Sequence, residues 1–310
     1  MSKKKISVVV RTYCRPESLK KTLFSLCHQT MPRSDYEIVV VDNDRNGSAR
    51  ESCRELISFN PSVNIKYVLE PEVSNSKTAN TGVRNTSGDI VAFIDDDAVA
   101  DKTWLAAIQE DFLSLPVDLL TGKIILLTDE RKLPEWVKGE LKTALGKLDL
   151  GKVPRRLTRK ELPLLGNLAF CRELFFSVGG FKESLGFQEE DYCGGEENAF
   201  AILARKKGYR LYYDPRIVVF HQVPAARLKR KYFLWRKSWE GRAAFRIDRC
   251  FKPLPVLIGI IFFRLFFYVP VLSLTMCFCL LSGLPYDVML LARIYRNLYY
   301  GCEAFSGWQR

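Results

Sequence analysis

The first hundred residues alternate between short apolar runs and segments with a helical period. The apolar runs predict strands at residues 6–10, 38–41, 65–69 and 90–94. Between the first two, Pro16 opens a segment in which Leu19, Leu23 and Leu26 share one stripe, which predicts a helix. Apolar strands separated by helices are typical of a parallel sheet covered on both faces. The sequence therefore predicts an α/β fold whose ligands bind at the carboxyl ends of the strands.

The rest of the chain has two parts of different character. Residues 130–165 are charged, punctuated by prolines and without a clear period, which predicts long loops and short helices over a site. A strand-like run follows at residues 217–220. After about residue 226, Lys and Arg crowd a stretch that also carries Tyr232, Phe233, Trp235 and Trp239.

Residues 254–263 are apolar, Arg264 interrupts them, and residues 265–286 carry no charge. The second run is long enough to cross a hydrocarbon core of about 30 Å. Arg264 and Pro270 leave a kinked or re-entrant segment as an alternative, and a buried helical subdomain is another. A basic, aromatic stretch before an apolar run indicates that the expected partner is an anionic membrane surface. We expect no nucleic-acid partner.

Charge and cysteine content limit the expected binding partners and cellular compartment. The formal net charge of +12 favours a polyanion, an anionic membrane or phosphorylated substrates. The nine cysteines show no CxxC spacing, which is typical of reduced thiols in a cytosolic compartment. Residues 6–10 are too short for the core of a signal peptide. We therefore expect a membrane-associated protein with its folded domain on the cytoplasmic side.

Three consecutive acids, Asp95, Asp96 and Asp97, follow the fourth predicted strand. Alternation along an extended chain places Asp95 and Asp97 on the same side. Two carboxylates facing one point favour a cation between them, and oxygen ligands suit Mn²⁺ or Mg²⁺. A solvated acidic turn before the helix at Trp104 is the alternative.

Polar residues also follow the first two strands. Thr12, Tyr13, Asp42 and Asn43 lie at neighbouring strand ends in a parallel sheet. A carboxylate and an amide can bond a base edge or a ribose hydroxyl, and a tyrosine ring offers a stacking face. Ordinary turn chemistry, with Asp42 and Asn43 forming Asx turns, explains the same residues equally well.

A Gly-Gly-Glu-Glu-Asn segment at residues 194–198 precedes a helical pattern. Glycines allow close approach to a ligand, and an acid at a helix N-terminus is favoured by the dipole. A carboxylate there, from Glu196 or Glu197, could deprotonate an incoming hydroxyl as general base, and plain helix capping by these glutamates is the alternative. His221 after the strand at 217–220 could complete a carboxylate metal site or be a hydrogen-bonded loop residue. His28 is expected to be structural.

The order of these elements resembles family 2 glycosyltransferases of the GT-A fold over roughly residues 5–250. The resemblance rests on residues 7–16, 39–43, 80–82, 87–89, 93–97, 179–181 and 194–198. It implies a Rossmann-like, mostly parallel central sheet flanked by helices. Residues 1–250 would form the catalytic domain and residues 251–310 a hydrophobic membrane-associating region.

The resemblance also implies roles for individual residues. Nucleotide binding falls to a set of side chains at the strand ends and the third helix: Thr12, Tyr13, Arg15, Asp42, Asn43, Asn80, Arg84 and Asp96. Asp95 and Asp97 become the metal pair, His221 a third ligand and Glu197 the base. The family often has Ala-Arg-Asn where this chain has Thr78-Ala79-Asn80, so Lys77 or Arg84 would have to replace that arginine.

These features predict an enzyme that transfers a sugar from a nucleotide-sugar donor to a saccharide or lipid-linked acceptor, usually with inversion. The expected cofactor is Mn²⁺ or Mg²⁺, and the expected setting is cell-surface polysaccharide synthesis. A nucleotidyltransferase would want a glycine-rich loop after the first strand, and residues 11–17 contain no glycine. A catalytically silent, membrane-docked nucleotide-sugar-binding module is the remaining alternative.

Overall fold

The computed structural model describes residues 4–128, 133–188, 191–282 and 288–306. Its strands are β1 (Ile6–Thr12), β2 (Tyr36–Asp42), β3 (Asn64–Leu69), β4 (Ile90–Asp95), β5 (Ala98–Ala100), β6 (Leu119–Thr128), β7 (Arg155–Arg156), β8 (Asn167–Cys171), β9 (Phe187–Gln188), β10 (Asp191–Tyr192) and β11 (Leu211–Val223). Its helices are α1 (Pro16–Cys27), α2 (Arg50–Phe59), α3 (Asn75–Arg84), α4 (Trp104–Ser114), α5 (Glu140–Ala144), α6 (Arg172–Val178), α7 (Glu196–Lys206), α8 (Arg230–Phe251), α9 (Leu254–Phe263), α10 (Val269–Leu281) and α11 (Val288–Ser306). Short 3₁₀ turns lie at Arg33–Asp35 and Ala225–Leu228, and a π-helical turn lies at Arg264–Tyr268.

The main sheet is parallel on one side and antiparallel on the other. Its strand order within the described residues is β3-β2-β1-β4-β8-β6-β11-β5, with β7 beside β11. Strands β3, β2, β1 and β4 run parallel, as predicted. Strand β8 is antiparallel to β4 and β6, and β11 is antiparallel to β5. Within the described residues no long helix links β6 to β8, and antiparallel strands need no helical crossover.

The first sheet strands are buried on both faces. Val8 and Val10 of β1 contribute to one hydrophobic core, and Val9 contributes to the other. Leu19, Leu23 and Leu26 cover the first core from α1, which confirms the predicted helical stripe. This double burial explains the near-continuous apolar strands in the sequence.

The chain divides into two compact units. The first comprises Met1–Leu127, Gly146–Glu189 and Glu196–Gln222, and the second comprises Thr128–Leu145, Glu190–Gly195 and Val223–Arg310. The first unit holds the large sheet. A catalytic domain ending at residue 250 stays a prediction, because compactness alone does not test functional limits.

The second unit is built around α8 and α11. The two helices approach so closely at Gly241 that a Cβ there would collide with the carbonyl oxygen of Arg296. Arg242 and Arg246 of α8 both pair with Glu303 of α11 and with Asp191. Two of the basic side chains in the stretch after residue 226 are therefore held in an internal ion-pair network.

The apolar region forms one continuous helix, Leu254–Leu281, made of α9, the π-helical turn and α10. It is long and apolar enough to cross a membrane by length and composition. Neither Arg264 nor Pro270 breaks it. The last part of the predicted run, residues 283–286, lies outside the described residues.

Candidate active site

Asp96 is the most enclosed of the three consecutive acids. It lies in the turn between β4 and β5, is buried, and accepts hydrogen bonds from Thr12 Oγ1 at 2.8 Å and Arg15 Nη1 at 3.2 Å. Burial raises the pKa of Asp96 to about 6, the Asp97 and Asp95 carboxylates add to the rise, and Arg15 and Thr12 oppose it. Asp96 thus ties the end of β1 to the end of β4.

Arg15 also contacts Asp97, at 3.1 Å from Oδ2. Burial opposes the charged form of Arg15, yet the Asp96 and Asp97 carboxylates raise its pKa overall. The other carboxylate oxygen of Asp97, Oδ1, lies 3.2 Å from His221 Nε2. Asp97 therefore has a cation on one side and an imidazole on the other.

His221 reaches Asp97 because β11 pairs with β5. The register places His221 opposite Ala98, and the Gln222 amide donates to the Asp97 carbonyl at 2.8 Å. His221 lies within β11, which runs to Val223, three residues beyond the predicted strand end at residue 220. Its Nδ1 atom is buried without a hydrogen-bond partner among the described residues, and a Cβ at Gly146 would lie 3.2 Å from it.

Asp95 is the most exposed of the three acids, with 40% of its side chain accessible to solvent. It ends β4 opposite Arg11 of β1, and its Oδ1 lies 3.7 Å from Arg11 Nη2. A Cβ at Gly166 would collide with its carboxylate, so the absence of a side chain at residue 166 leaves room for Asp95.

Arg11 connects the acidic triplet to the Gly-Gly-Glu-Glu segment. Its Nη1 lies 3.5 Å from Glu196 Oε1 and 3.2 Å from the Asn75 carbonyl oxygen. Glu196 opens α7 and is buried, whereas Glu197 is half-buried beside it. Sequence reasoning did not select Arg11, although a charged residue inside an otherwise apolar strand was an available signal.

Asp42 and Asn43 shape the turn after β2. The Asp42 carboxylate is fully buried and accepts from the Asp44 and Ala49 amides and the Tyr67 hydroxyl. The bond from the Asp44 amide is the Asx-turn pattern that the sequence left open. Asn43 donates to the Glu70 carbonyl at 2.8 Å and accepts from the Ser74 amide at 3.0 Å. Their direct contact with a nucleoside stays a prediction.

The remaining nucleotide-binding candidates are placed unequally. Tyr13 follows β1 with 47% of its surface exposed. Asn80 is buried, donates to the Phe181 carbonyl and accepts from the Phe181 amide, so it fastens α3 to the segment after α6. Arg84 is exposed in the last turn of α3, shortly before β4 begins, whereas the acids lie at the carboxyl end of β4. The structure therefore does not bring Arg84 to this group.

The donor types at the strand ends suit a divalent cation. Carboxylates from Asp95 and Asp97 and the Nε2 atom of His221, which lies 3.2 Å from Asp97 Oδ1, are ligands that Mn²⁺ accepts. Within the described residues, no three His, Cys, Asp or Glu side chains already stand close enough to hold a metal. A cation beside Asp97 would have to replace Arg15 there.

Known proteins resemble this chain over most of its length. Residues 7–177, more than half of the chain, match the family described as "Glycosyl transferase family 2". The glucosyl-dolichyl phosphate glucuronosyltransferase of Haloferax volcanii is 26% identical over 76% of this chain and 75% of its own. The succinoglycan biosynthesis protein ExoM of Rhizobium meliloti is 29% identical over 78% and 74%. Against glycosyltransferase AglE of Haloferax volcanii, 27% identical, the match spans about half of each chain.

Among solved structures, a mannosyltransferase from Pyrobaculum calidifontis in complex with GDP-Man and Mn²⁺ superposes with a TM-score of 0.64. It is 19% identical, and the match covers 97% of this chain and 88% of that one. This likeness confirms the predicted GT-A type of fold. The match of residues 7–177 to the family model, over more than half of the chain, shows that the chain belongs to glycosyl transferase family 2.

Proposed function

We propose that this chain transfers a sugar from a nucleoside diphosphate donor to a hydroxyl of a saccharide or lipid-linked saccharide, with inversion at the anomeric carbon. The observation that carries the proposal is the position of Arg11, which contacts both Asp95 and Glu196. One guanidinium therefore links the acids proposed for the donor diphosphate to the helix that carries the proposed base.

Glu197 is the proposed general base. It lies in the first turn of α7, where the helix dipole favours a carboxylate. Glu196 is buried with its carboxylate 3.5 Å from Arg11, a contact that favours a structural role. Glu197 removes the proton of the acceptor hydroxyl as that oxygen attacks the anomeric carbon, and the diphosphate departs from the opposite face.

Asp95, Asp97 and His221 are the residues that would hold Mn²⁺ or Mg²⁺. When bound there, a divalent cation supplies Lewis-acid stabilisation to the departing diphosphate. Arg15, which contacts Asp97 in this structure, would then be available to the donor phosphate oxygens. A planar guanidinium binds phosphate as readily as it binds carboxylate.

The nucleoside end of the donor falls to the residues around the end of β1. The exposed ring of Tyr13 offers a stacking face, and Thr12 and Asp96 present polar atoms beside it. Asp42, Asn43 and Asn80 hold the surrounding turns through their internal hydrogen bonds. Their contribution to donor binding is therefore chiefly to shape the pocket.

The relatives support the acceptor class. One is named for a transfer involving glucosyl-dolichyl phosphate and another for succinoglycan biosynthesis. Both descriptions fit a saccharide that grows on a lipid or into a polysaccharide. The apolar helix Leu254–Leu281 fits the same setting, with the catalytic unit on the cytoplasmic side of a membrane.

The test is diphosphate release by the purified full chain with Mn²⁺ and a panel of nucleotide sugars. We expect one donor to be turned over, with transfer to a saccharide-lipid acceptor, and loss of turnover with EDTA. Binding of a nucleotide sugar without hydrolysis or transfer under any condition would instead favour the silent binding module. Asp95→Asn is the matched loss-of-function variant, because Asp95 is exposed and makes a single long ion pair.

A further inference from the structure

One face of the helix Leu254–Leu281 packs against α8 and α11 within the second unit, and the packing follows a helical spacing. Less exposed positions recur three or four residues apart along the whole helix: Leu257, Ile261, Leu265, Val269, Leu272, Met276 and Cys279. Ile261 and Leu265 join Phe245 of α8 and Tyr300 of α11 in one hydrophobic cluster. The helix is therefore docked along one side.

Arg264 lies on this docked side. Its Nη1 donates to Asn297 Oδ1 at 2.8 Å, and its guanidinium lies 4.1 Å from the centre of the Tyr300 ring. Leu265 lies so close to Gly301 that a Cβ atom on residue 301 would lie 2.8 Å from the Leu265 side chain. The charge that interrupts the apolar run is thus satisfied by α11.

The opposite side of the helix is apolar and exposed. Large exposed side chains on it include Phe262, Phe263, Phe266, Phe267, Leu274 and Phe278. No residue of α10 is buried. Such a face needs an apolar environment, because an exposed apolar patch of this length is unusual on a soluble surface.

The position and charges of helix α11 limit how the apolar helix can lie in a membrane. It runs antiparallel to the apolar helix, since Ile261 clusters with Ala304 while Arg264 contacts Asn297. It carries Arg293, Arg296, Asn297 and Glu303. If the apolar helix crossed a bilayer, α11 would enter the hydrocarbon beside it. Each central charge then costs about 2.5–3.5 kcal/mol even on the lenient insertion scale.

We propose that Leu254–Leu281 lies in one leaflet of an anionic phospholipid bilayer and does not cross it, with both of its ends on the same side. This inference rests on the proposed membrane association. Its exposed face enters the acyl region, while α11, whose polar side chains pair with α5 and α8, lies on the opposite side of the helix. The exposed cations Lys229, Arg230, Lys231 and Lys252 supply the attraction to anionic headgroups.

The first measurement is flotation of the purified full chain with preformed vesicles of phosphatidylcholine and phosphatidylglycerol, against vesicles of phosphatidylcholine alone. We expect flotation with the anionic vesicles that survives a salt wash. If the chain floats with neither, the membrane association itself fails, whatever the outcome for catalysis.

The second measurement separates one leaflet from a full crossing. Lys252→Cys and Ser282→Cys, each in a chain whose native cysteines are replaced by serine or alanine, are bound to sealed anionic vesicles and treated with an impermeant maleimide. We expect comparable labelling at both positions without detergent. Labelling of Ser282→Cys only after detergent would overturn the proposal. If that variant does not bind vesicles, Leu281→Cys gives the same comparison one residue away.

Discussion

The Nε2 atom of His221 lies 3.2 Å from Oδ1 of Asp97, although the two residues are more than a hundred positions apart in the chain. The pairing of β11 with β5, which begins at the residue after Asp97, brings them together. A strand from the antiparallel half of the sheet thus delivers an imidazole to the acids of the parallel half. This contact is the reason why His221 is proposed as the third ligand of a cation at Asp95 and Asp97.

Removing the imidazole tests that partnership. His221→Ala should weaken Mn²⁺ activation by at least about tenfold, since even outer-shell partners of a metal contribute 10- to 100-fold to affinity. The measurement is activity, and separately Mn²⁺ binding by calorimetry, as a function of metal concentration. Unchanged Mn²⁺ affinity would assign His221 to holding the Asp97 side chain alone.

The two adjacent glutamates should differ in catalysis. Glu197→Gln should lower kcat by about 10²–10⁴-fold with donor affinity retained, because the amide cannot accept the acceptor's proton. Glu196→Gln is the matched control. It should lower kcat less, and it should do so by weakening the contact that holds the Arg11 side chain. Single-turnover kinetics with a saturating donor measures both. A larger loss for Glu196→Gln would reverse the assignment.

Arg11 should act as a positioning residue. Arg11→Gln removes the cation between Asp95 and Glu196, and loss of a charged hydrogen-bonded contact typically costs about 1.5–3 kcal/mol, or roughly 10- to 100-fold in kcat/KM. Arg11→Lys keeps the charge but cannot bridge both acids, so an intermediate rate is expected. The pH profile of kcat should shift in Arg11→Gln. A variant that loses only thermal stability would contradict this role.

Gly166 should control Asp95 through space alone. Gly166→Ala places a methyl group where the Asp95 carboxylate lies, and this half-exposed side chain can move away. We expect weaker metal and donor affinity with a small change in melting temperature. In an Asp95→Asn background the same glycine substitution should have little further effect. Additive losses in the double variant would indicate that Gly166 acts elsewhere.

A buried pair of acids should make folding stability depend on pH. Asp111 and Asp214 are fully buried and both contact Arg216, at 2.7 and 2.8 Å. Burial raises the pKa of Asp111 to about 7, with Asp214 adding to the rise.

Because this folded-state pKa lies above the ordinary value, the folded protein binds more protons than the unfolded chain between about pH 4 and pH 7. The stabilisation is fully present at the acidic end and is lost as the pH rises toward 7, by up to about 1.4 kcal/mol per pH unit. Asp111→Asn should remove this slope, measured by urea unfolding from pH 4.5 to 7.5. Parallel stability curves for the two proteins would refute a raised pKa of Asp111 as the source of the slope.

The sequence by itself determined the parallel half of the sheet and the family. Its apolar runs at β1, β2 and β4 are buried on both faces, and such burial leaves a direct mark in the residue pattern. The acids at the end of β4 and the glutamates in the first turn of α7 were also readable, because strand ends and helix starts are local features. The apolar helix near the C-terminus was evident from length and composition.

Only the tertiary structure decided which of these residues meet. The approach of His221 to Asp97 depends on antiparallel pairing between segments far apart in the chain. The contacts of Arg11 with Asp95 and Glu196 likewise join three separate elements. Internal hydrogen bonds occupy the side chains of Asp42, Asn43 and Asn80. Arg84 lies at the end of α3 that precedes β4, away from the carboxyl ends of the strands. Side-chain partners of this kind follow from packing in three dimensions, which local propensity and spacing do not encode.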